Sequence, residues 1–292
     1  MKKFKCWIEA VRLRTLPASV SGVVTAMALA ASHHSLDILP AMLCLAFAVL
    51  AQIASNFANE YYDFKAGLDK PGREGPRRGV TEGDISPKAM RNATFATLGV
   101  ACVIGCSLIA YSGWWLIPVG IFIALGALAY STGPYPLSHH GLGEVAVMIF
   151  FGIIPVNFTY YLASGQWSVD ILYASLAVGF MVSNIIIVNN YRDADADAEV
   201  GKRTLAVTWG RKALLAIYLA NGIAASALIC ISFAPGTATT VIMAIYLALH
   251  ILLTLRINRL KGSALNPMLG ITAILIFAVS IALLISAECN AA

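Results

Sequence analysis

Two short runs of this 292-residue chain carry side chains that can do chemistry together. Asn59 and Asp63 stand four residues apart, as do Asn189 and Asp193, and the second pair follows the first at an offset of 130 residues. Residues four apart on a helix share a face, so each pair can aim an amide and a carboxylate at one point. A further acid follows each pair. Asp197 continues the Asn189–Asp193 stripe, whereas Asp69 lies six residues past Asp63 and reaches the same point only if the chain bends at Gly67. Carboxylate oxygens with an amide carbonyl are hard donors suited to Mg²⁺, which takes few carboxylates and completes its shell with water and phosphate oxygens. The predicted metal ligands are therefore Asn59, Asp63, Asp69, Asn189, Asp193 and Asp197. Cations crowd both runs: Lys65, Lys70, Arg73, Arg77 and Arg78 around the first, Arg192, Lys202 and Arg203 around the second. Arg forks grip phosphate oxygens bidentately and Lys adds a point charge. Two such clusters face to face can hold Mg²⁺ and a diphosphate between them. Asp195 and Glu199 fall off the Asn189 stripe and read as solvated; Glu60 reads either way.

The elements that must position these residues are membrane helices. The chain is 59% hydrophobic and only 12% charged, with mean hydropathy +0.77, against about 25% charged in a soluble domain. Nine stretches approach the roughly 20 apolar residues that span a bilayer: 16–33, 38–58, 92–112, 114–131, 144–163, 169–190, 212–234, 237–255 and 267–287. They lack the period-two alternation of a membrane β-barrel, and backbone in lipid must satisfy its own hydrogen bonds, so they read as helices. The expected fold is an all-α polytopic bundle of about nine transmembrane helices. Numbering the connections alternately places all 20 Lys and Arg on one side, so the N-terminus and both motif loops are expected in the cytoplasm and the C-terminus outside. The net charge of +5 is thereby explained by topology and anionic lipid, without a nucleic-acid partner.

The two long connections, 60–91 and 191–211, each follow an even-numbered span and one of the motifs, so both acidic clusters emerge on one face. Ser86-Pro87 is expected to cap the helix after the first loop. The repeated motif suggests one domain, 1–292, of two related halves, 1–131 and 132–292. A basic start and a small-residue stretch at Ala28–Ala31 faintly resemble a cleavable signal, but the polar lead-in and the eight later spans favour a retained first helix. Six scattered cysteines show no zinc spacing and read as packing residues.

At this level the residues resemble a known family. Asn59-Glu60-Tyr61-Tyr62-Asp63, Gly67-x-Asp69-Lys70 and Arg73-x-Gly75-Pro76-x-Arg78-Gly79 are similar to the first signature of 1,4-dihydroxy-2-naphthoate polyprenyltransferases, in the UbiA superfamily of intramembrane prenyltransferases. Asn189-Asn190-x-Arg192-Asp193-x-Asp195-x-Asp197 with Gly201-Lys202-x-Thr204-Leu205 resembles the second, and Arg12-x-Arg14-Thr15-Leu16-Pro17 is also similar. The chain departs from the family at Glu60, commonly Asp, and at Ser131-Thr132-Gly133-Pro134, which lacks a basic residue many relatives carry. The resemblance implies transfer of a polyprenyl group from an all-trans polyprenyl diphosphate to dihydroxynaphthoate in menaquinone biosynthesis, with Mg²⁺ as cofactor and loss of CO₂ and diphosphate. It assigns catalysis to Asp63, Asp69, Asp193, Asp197 and Tyr130. Diphosphate binding is expected, from their place in or beside the two motifs, of Asn59, Asn189, Lys65, Lys70, Arg73, Arg77, Arg78, Arg192 and Lys202. Tyr130 would offer its ring to a carbocation; its other reading is an interfacial aromatic at a helix end. His139 and His140 would handle a proton or the acceptor carboxylate, although loop histidines usually do neither, and His250 reads as hydrogen-bonded packing. The implied location is a bacterial cytoplasmic membrane, with the site on the cytoplasmic side. The same enzyme class admits other acceptors, such as 4-hydroxybenzoate or homogentisate. A transporter is disfavoured because its ionisable groups would sit near mid-membrane, whereas these acids gather at one face.

Overall fold

The computed structural model of the chain describes residues 2–67, 69, 77–130, 134–233 and 236–291, and no strand occurs among them. In chain order the helices are α1 (Lys2–Val11), α2 (Leu16–Ser32), α3 (Ile38–Lys65), α4 (Pro87–Ser107), α5 (Ile109–Ser112), α6 (Leu116–Ala129), α7 (Gly143–Val147), α8 (Ile154–Ser164), α9 (Val169–Glu199), α10 (Leu205–Ser232), α11 (Thr237–Arg259) and α12 (Asn266–Ala291). A π-helical segment, Met148–Ile153, joins α7 to α8. Eight stretches among the described residues are long and apolar enough to cross a membrane. The protein is a multi-pass helical bundle.

Eight of the nine expected spans correspond to these stretches, and the fourth differs. The expected span 114–131 is a shorter apolar helix, α6, of 14 residues, about 21 Å long at 1.5 Å per residue. Its start is delayed by Gly113, whose φ of 88° ends α5 in a conformation open only to glycine without strain. The junction before α4 forms as expected: the Ser86 hydroxyl accepts from the Ala89 amide at 3.2 Å and Pro87 opens the helix.

α2 and α9 form the interior. The most apolar windows of their spans are 72% and 67% buried, against 17% for the span containing α4, so lipid faces the periphery and protein the centre. α2 packs on α12, α8 and α3, which makes the first and last spans neighbours. The π-helical segment crosses α9 backbone to backbone: a side-chain carbon at Gly152 would stand 2.4 Å from the Gly179 Cα. Lacking a hydrophobic drive between helices in lipid, such close small-residue contacts and polar ties hold the bundle. Asn184 of α9 donates to the Tyr218 carbonyl at 3.1 Å, and the Asn221 amide donates to Ser183 and Asn184 at 3.1 Å each. His250 approaches the same Tyr218 carbonyl at 2.9 Å and stacks between Tyr218 and Tyr246, the packing role expected of it.

Candidate active site

The first cluster forms where α3 ends. Asn59 and Asp63 occupy its last turns, Gly67 turns the chain at φ 69°, and Asp69 follows outside the helix. The bend expected at Gly67 thus brings Asp69 back beside Asp63, and one guanidinium joins them. Arg78, 6% exposed, donates to Asn59 Oδ1 at 2.9 Å and stands 3.6 Å from Asp63 Oδ2. Its Nε lies 3.2 Å from Asp69 Oδ2, an ion pair whose angle falls short of a hydrogen bond. Arg78 Nη1 is buried with no hydrogen-bond partner among the described residues, a donor left over beside two carboxylates. From the other side Arg12 donates to Asn59 Oδ1 at 2.8 Å. Arg12 has a left-handed backbone (φ 55°), a strained conformation for arginine that a polar clamp holds in place. The Asn56 amide donates to the Val11 carbonyl at 2.9 Å and to the Thr15 hydroxyl at 3.1 Å, while Thr15 donates to the Arg12 carbonyl at 2.9 Å.

The second cluster lies on unbroken helix. α9 runs through Glu199, well past the expected end of its apolar stretch, so Asn189, Asp193 and Asp197 share a face as their spacing requires. Arg192, 4% exposed, clasps Asp193 with two bonds of 2.6 Å, reaches Asn189 Oδ1 at 2.8 Å and crosses to Asn266 Oδ1 at the head of α12 at 2.7 Å. Asp197 is paired with Lys202 at 3.7 Å. Asp195 points away and makes an exposed bidentate pair with Arg211, both bonds 3.0 Å, as its off-stripe position implies. Across the neighbouring loop, the Arg203 amide donates to the His139 carbonyl at 2.9 Å. Burial, with Lys202 and His140 nearby, pushes the His139 ring down to about 4, so it is neutral at neutral pH. His140 is exposed and stacks on Tyr135.

Tyr130 stands between the clusters. Glu144, Asp63, Arg12 and Asp197 all lie close enough to act on the charge of its hydroxyl, so acids of both motifs converge on this end of α6. Tyr130 also lines a cavity of about 320 Å³ whose walls are almost wholly apolar, among them Val23, Phe47, Val119, Phe150 and Phe158. Its lining extends from Tyr130, at the end of α6, and Gln52 of α3 to Leu108, between α4 and α5, and Leu162, near the end of α8. An anionic, oxygen-rich head thus adjoins a dry channel for an apolar tail.

The structure therefore groups Asn59, Asp63, Asp69 and Arg78 around one point, and Asn189, Arg192, Asp193, Asp197 and Lys202 around another, with Tyr130 between. Lys65 is exposed at the end of α3. Arg77 is turned away from the acids, held by Glu9 at 3.3 Å and by Asp84. Lys70 and Arg73 lie outside the described residues, as do Ser131, Thr132 and Gly133. Glu60 is 1% exposed and accepts from the Val80 amide at 3.0 Å, pinning the loop that carries Arg78. Arg12, Asn266 and Glu144 enter the site without having been assigned to it from the sequence. Glu144 left the clearest trace, as the one Asp, Glu, Lys or Arg between residues 134 and 163; an ionisable group heading an apolar segment points to function.

Comparison with known proteins agrees with this architecture. The UbiA prenyltransferase family matches residues 19–267. The 1,4-dihydroxy-2-naphthoate octaprenyltransferase of Haemophilus influenzae is 35% identical over 72% of this chain and 70% of its own length. That of Mycobacterium leprae is 34% identical over 97% of this chain and 96% of its own. Among solved structures, a UbiA homolog from Aeropyrum pernix K1 in its apo form superposes with a TM-score of 0.69 at 20% identity, covering 91% of this chain and 94% of that one. One from Archaeoglobus fulgidus, bound to DMAPP and Mg²⁺, gives 0.66 at 14% identity over 95% and 98%. On the extent of these matches and the shared helical architecture, the chain belongs to the UbiA prenyltransferase family.

Proposed function

We propose that this prenyltransferase moves a polyprenyl group from an all-trans polyprenyl diphosphate onto 1,4-dihydroxy-2-naphthoate, releasing diphosphate and CO₂, as a step of menaquinone biosynthesis. The acceptor rests on the activity named for its 34–35% identical relatives. The observation that carries the chemistry is that acids of both motifs, Asp63 and Asp197, lie near enough to Tyr130 to act on its charge, and that Tyr130 also lines the apolar cavity. A diphosphate ester of a long isoprenoid needs that pairing of charge and grease in one place.

Mg²⁺ fits the donor set. Asn59, Asp63, Asp69, Asn189, Asp193 and Asp197 offer hard oxygens, the donors suited to an ion that fills its shell with water and substrate phosphate oxygens, and the Archaeoglobus homolog described with DMAPP and Mg²⁺ supports the assignment. When bound, the ion supplies Lewis-acid neutralisation of charge developing on the leaving group.

The chain's own residues do the rest. Arg78, with Nη1 to spare, and Lys202 meet the diphosphate oxygens, while Arg192 locks Asp193 and Asn189 in one orientation so that little reorganisation remains when charge shifts. The cavity takes the isoprenoid chain and keeps water from a reactive allylic cation. Tyr130 turns its ring toward that cation. The site opens to the cytoplasm, on the side where the positive-inside pattern puts both loops. Membranes containing the protein, given polyprenyl diphosphate and carboxyl-labelled dihydroxynaphthoate, should release labelled CO₂ in step with prenylated product. Product without label, or prenylation of 4-hydroxybenzoate alone, would replace this acceptor with another.

A further inference from the structure

Glu144 is a buried carboxylate to which the chemistry above gives no task. It lies in α7, 8% exposed, where its Oε1 accepts from the Asn190 amide at 2.7 Å. Its Oε2 is buried and has no hydrogen-bond partner among the described residues. A purely structural carboxylate is expected to satisfy both oxygens, because a buried acceptor without a donor is destabilising. Glu144 satisfies one and presents the other. A side-chain carbon on the adjoining Gly143 would lie 3.7 Å from the Tyr130 hydroxyl. Ala146 and Val147, immediately following in α7, line the apolar cavity. Glu144 thus stands behind Tyr130, less than one helical turn from the Val147 that lines the cavity, beside the place an aromatic ring must occupy to attack the allylic carbon.

We propose that Glu144 Oε2 accepts the proton of the acceptor's ring hydroxyl as the ring attacks, a role that rests on the function proposed above. The hydroxyl concerned is the one ortho to the attacking carbon, since only its electrons reach that carbon directly. Its O–H bond breaks, the proton passes to Oε2, and the oxygen becomes a ring carbonyl. The displaced ring π pair forms the new C–C bond, and the allylic C–O pair leaves with diphosphate. Charge balances: the carboxylate becomes a neutral acid as the diphosphate gains one negative charge. When CO₂ departs, the bond pair it leaves behind restores the aromatic ring, and the carbonyl oxygen takes the proton back from Glu144. The Asn190 amide holds the carboxyl in place throughout, and Tyr130 and Asn190 are the groups that face it from α6 and α9.

Glu144→Gln tests this, because the amide keeps the shape and can still accept from Asn190 through its oxygen while offering N–H where Oε2 stood. The expected result is a fall in kcat of roughly 10²- to 10⁴-fold, the usual weight of positioned proton transfer, with KM for the polyprenyl diphosphate unchanged. The loss should shrink by about tenfold per pH unit between about pH 7 and about pH 9, as the acceptor hydroxyl ionises in solution without help. A merely structural role gives no such rescue. A kcat within threefold of wild type, or a loss constant across that range, overturns the proposal. Glu144→Asp is the second variant, keeping the charge but withdrawing the oxygen by one methylene. It should lose kcat less than Glu144→Gln does, and a greater loss or a wild-type rate in Glu144→Asp also overturns it. The wild-type chain is assayed alongside: no prenylated dihydroxynaphthoate there defeats the proposed function and this inference with it, whereas wild-type turnover with an unaffected variant defeats this inference alone.

Discussion

Replacing Arg192 by Lys keeps the positive charge of the second cluster and removes its fork. The native guanidinium makes four contacts: two bonds of 2.6 Å to Asp193, one of 2.8 Å to Asn189 and one of 2.7 Å to Asn266 on α12. An ammonium is a single point and can retain the carboxylate while giving up both amide oxygens. Hydrogen bonds to a charged group contribute about 1.5–3 kcal/mol each. Losing two therefore costs at least about 3 kcal/mol if nothing relaxes, roughly 10²-fold in a rate or binding constant. The expected outcome for Arg192→Lys is a kcat/KM for the prenyl donor reduced by about that factor, with a lower thermal midpoint in detergent because the tie from α9 to α12 is gone. The same helix supplies its own control. Arg211 clasps Asp195 in an equally bidentate pair, but the Asp195 side chain is 84% exposed, whereas the Arg192 side chain is 1% exposed. Solvent-exposed pairs contribute little, so Arg211→Ala should leave turnover unchanged. A kcat/KM for Arg192→Lys within threefold of wild type, or equal losses in the two variants, would refute the reasoning from burial.

Other outcomes follow from the same geometry. Asp63→Asn and Asp193→Asn should each abolish turnover while the protein still inserts and elutes as folded; activity in either, measured as prenyl transfer, would remove that carboxylate from the metal site. Chelation should stop the reaction and added Mg²⁺ restore it, read in the same assay. His139 has a folded pKa of about 4 against an ordinary 6.5, so the folded state disfavours its proton and stability is full above about 6.5. Stability should then decline as pH falls toward about 4, and His139→Gln should flatten part of that decline in a detergent melt. Gly152→Ala would drive a methyl to 2.4 Å from the Gly179 Cα. Overpacking of this kind costs about 1–3 kcal/mol, and a lower thermal midpoint should show it.

Much of the architecture was legible because lipid imposes a simple code. Apolar length marks a span, and eight such stretches stand where composition put them. The fourth stretch, α6, is apolar helix as composition put it but shorter, because hydropathy does not register a glycine at φ 88° that delays the helix until Leu116. Ser86 and Pro87 were readable because capping is local, and Asp195 because a helix repeats every 3.6 residues. Arg77 and Arg78 show where local reading stops. They are adjacent and chemically identical, yet one is half-exposed and held by Glu9 and Asp84 while the other is buried among Asn59, Asp63 and Asp69.

The pattern of residues alone established a membrane bundle, the acidic stripe on α9 and the twinning of two Asn/Asp runs, since each depends on composition or on spacing within a single helix. Tertiary packing decided which cations meet which acids and brought in Arg12, Asn266 and Glu144 from remote parts of the chain. It also set Tyr130 at the junction of the acids with the apolar cavity. Those are contacts between segments far apart in sequence, fixed by how α2, α9 and α12 pack in the bundle, and no periodicity along the chain encodes a distance across it.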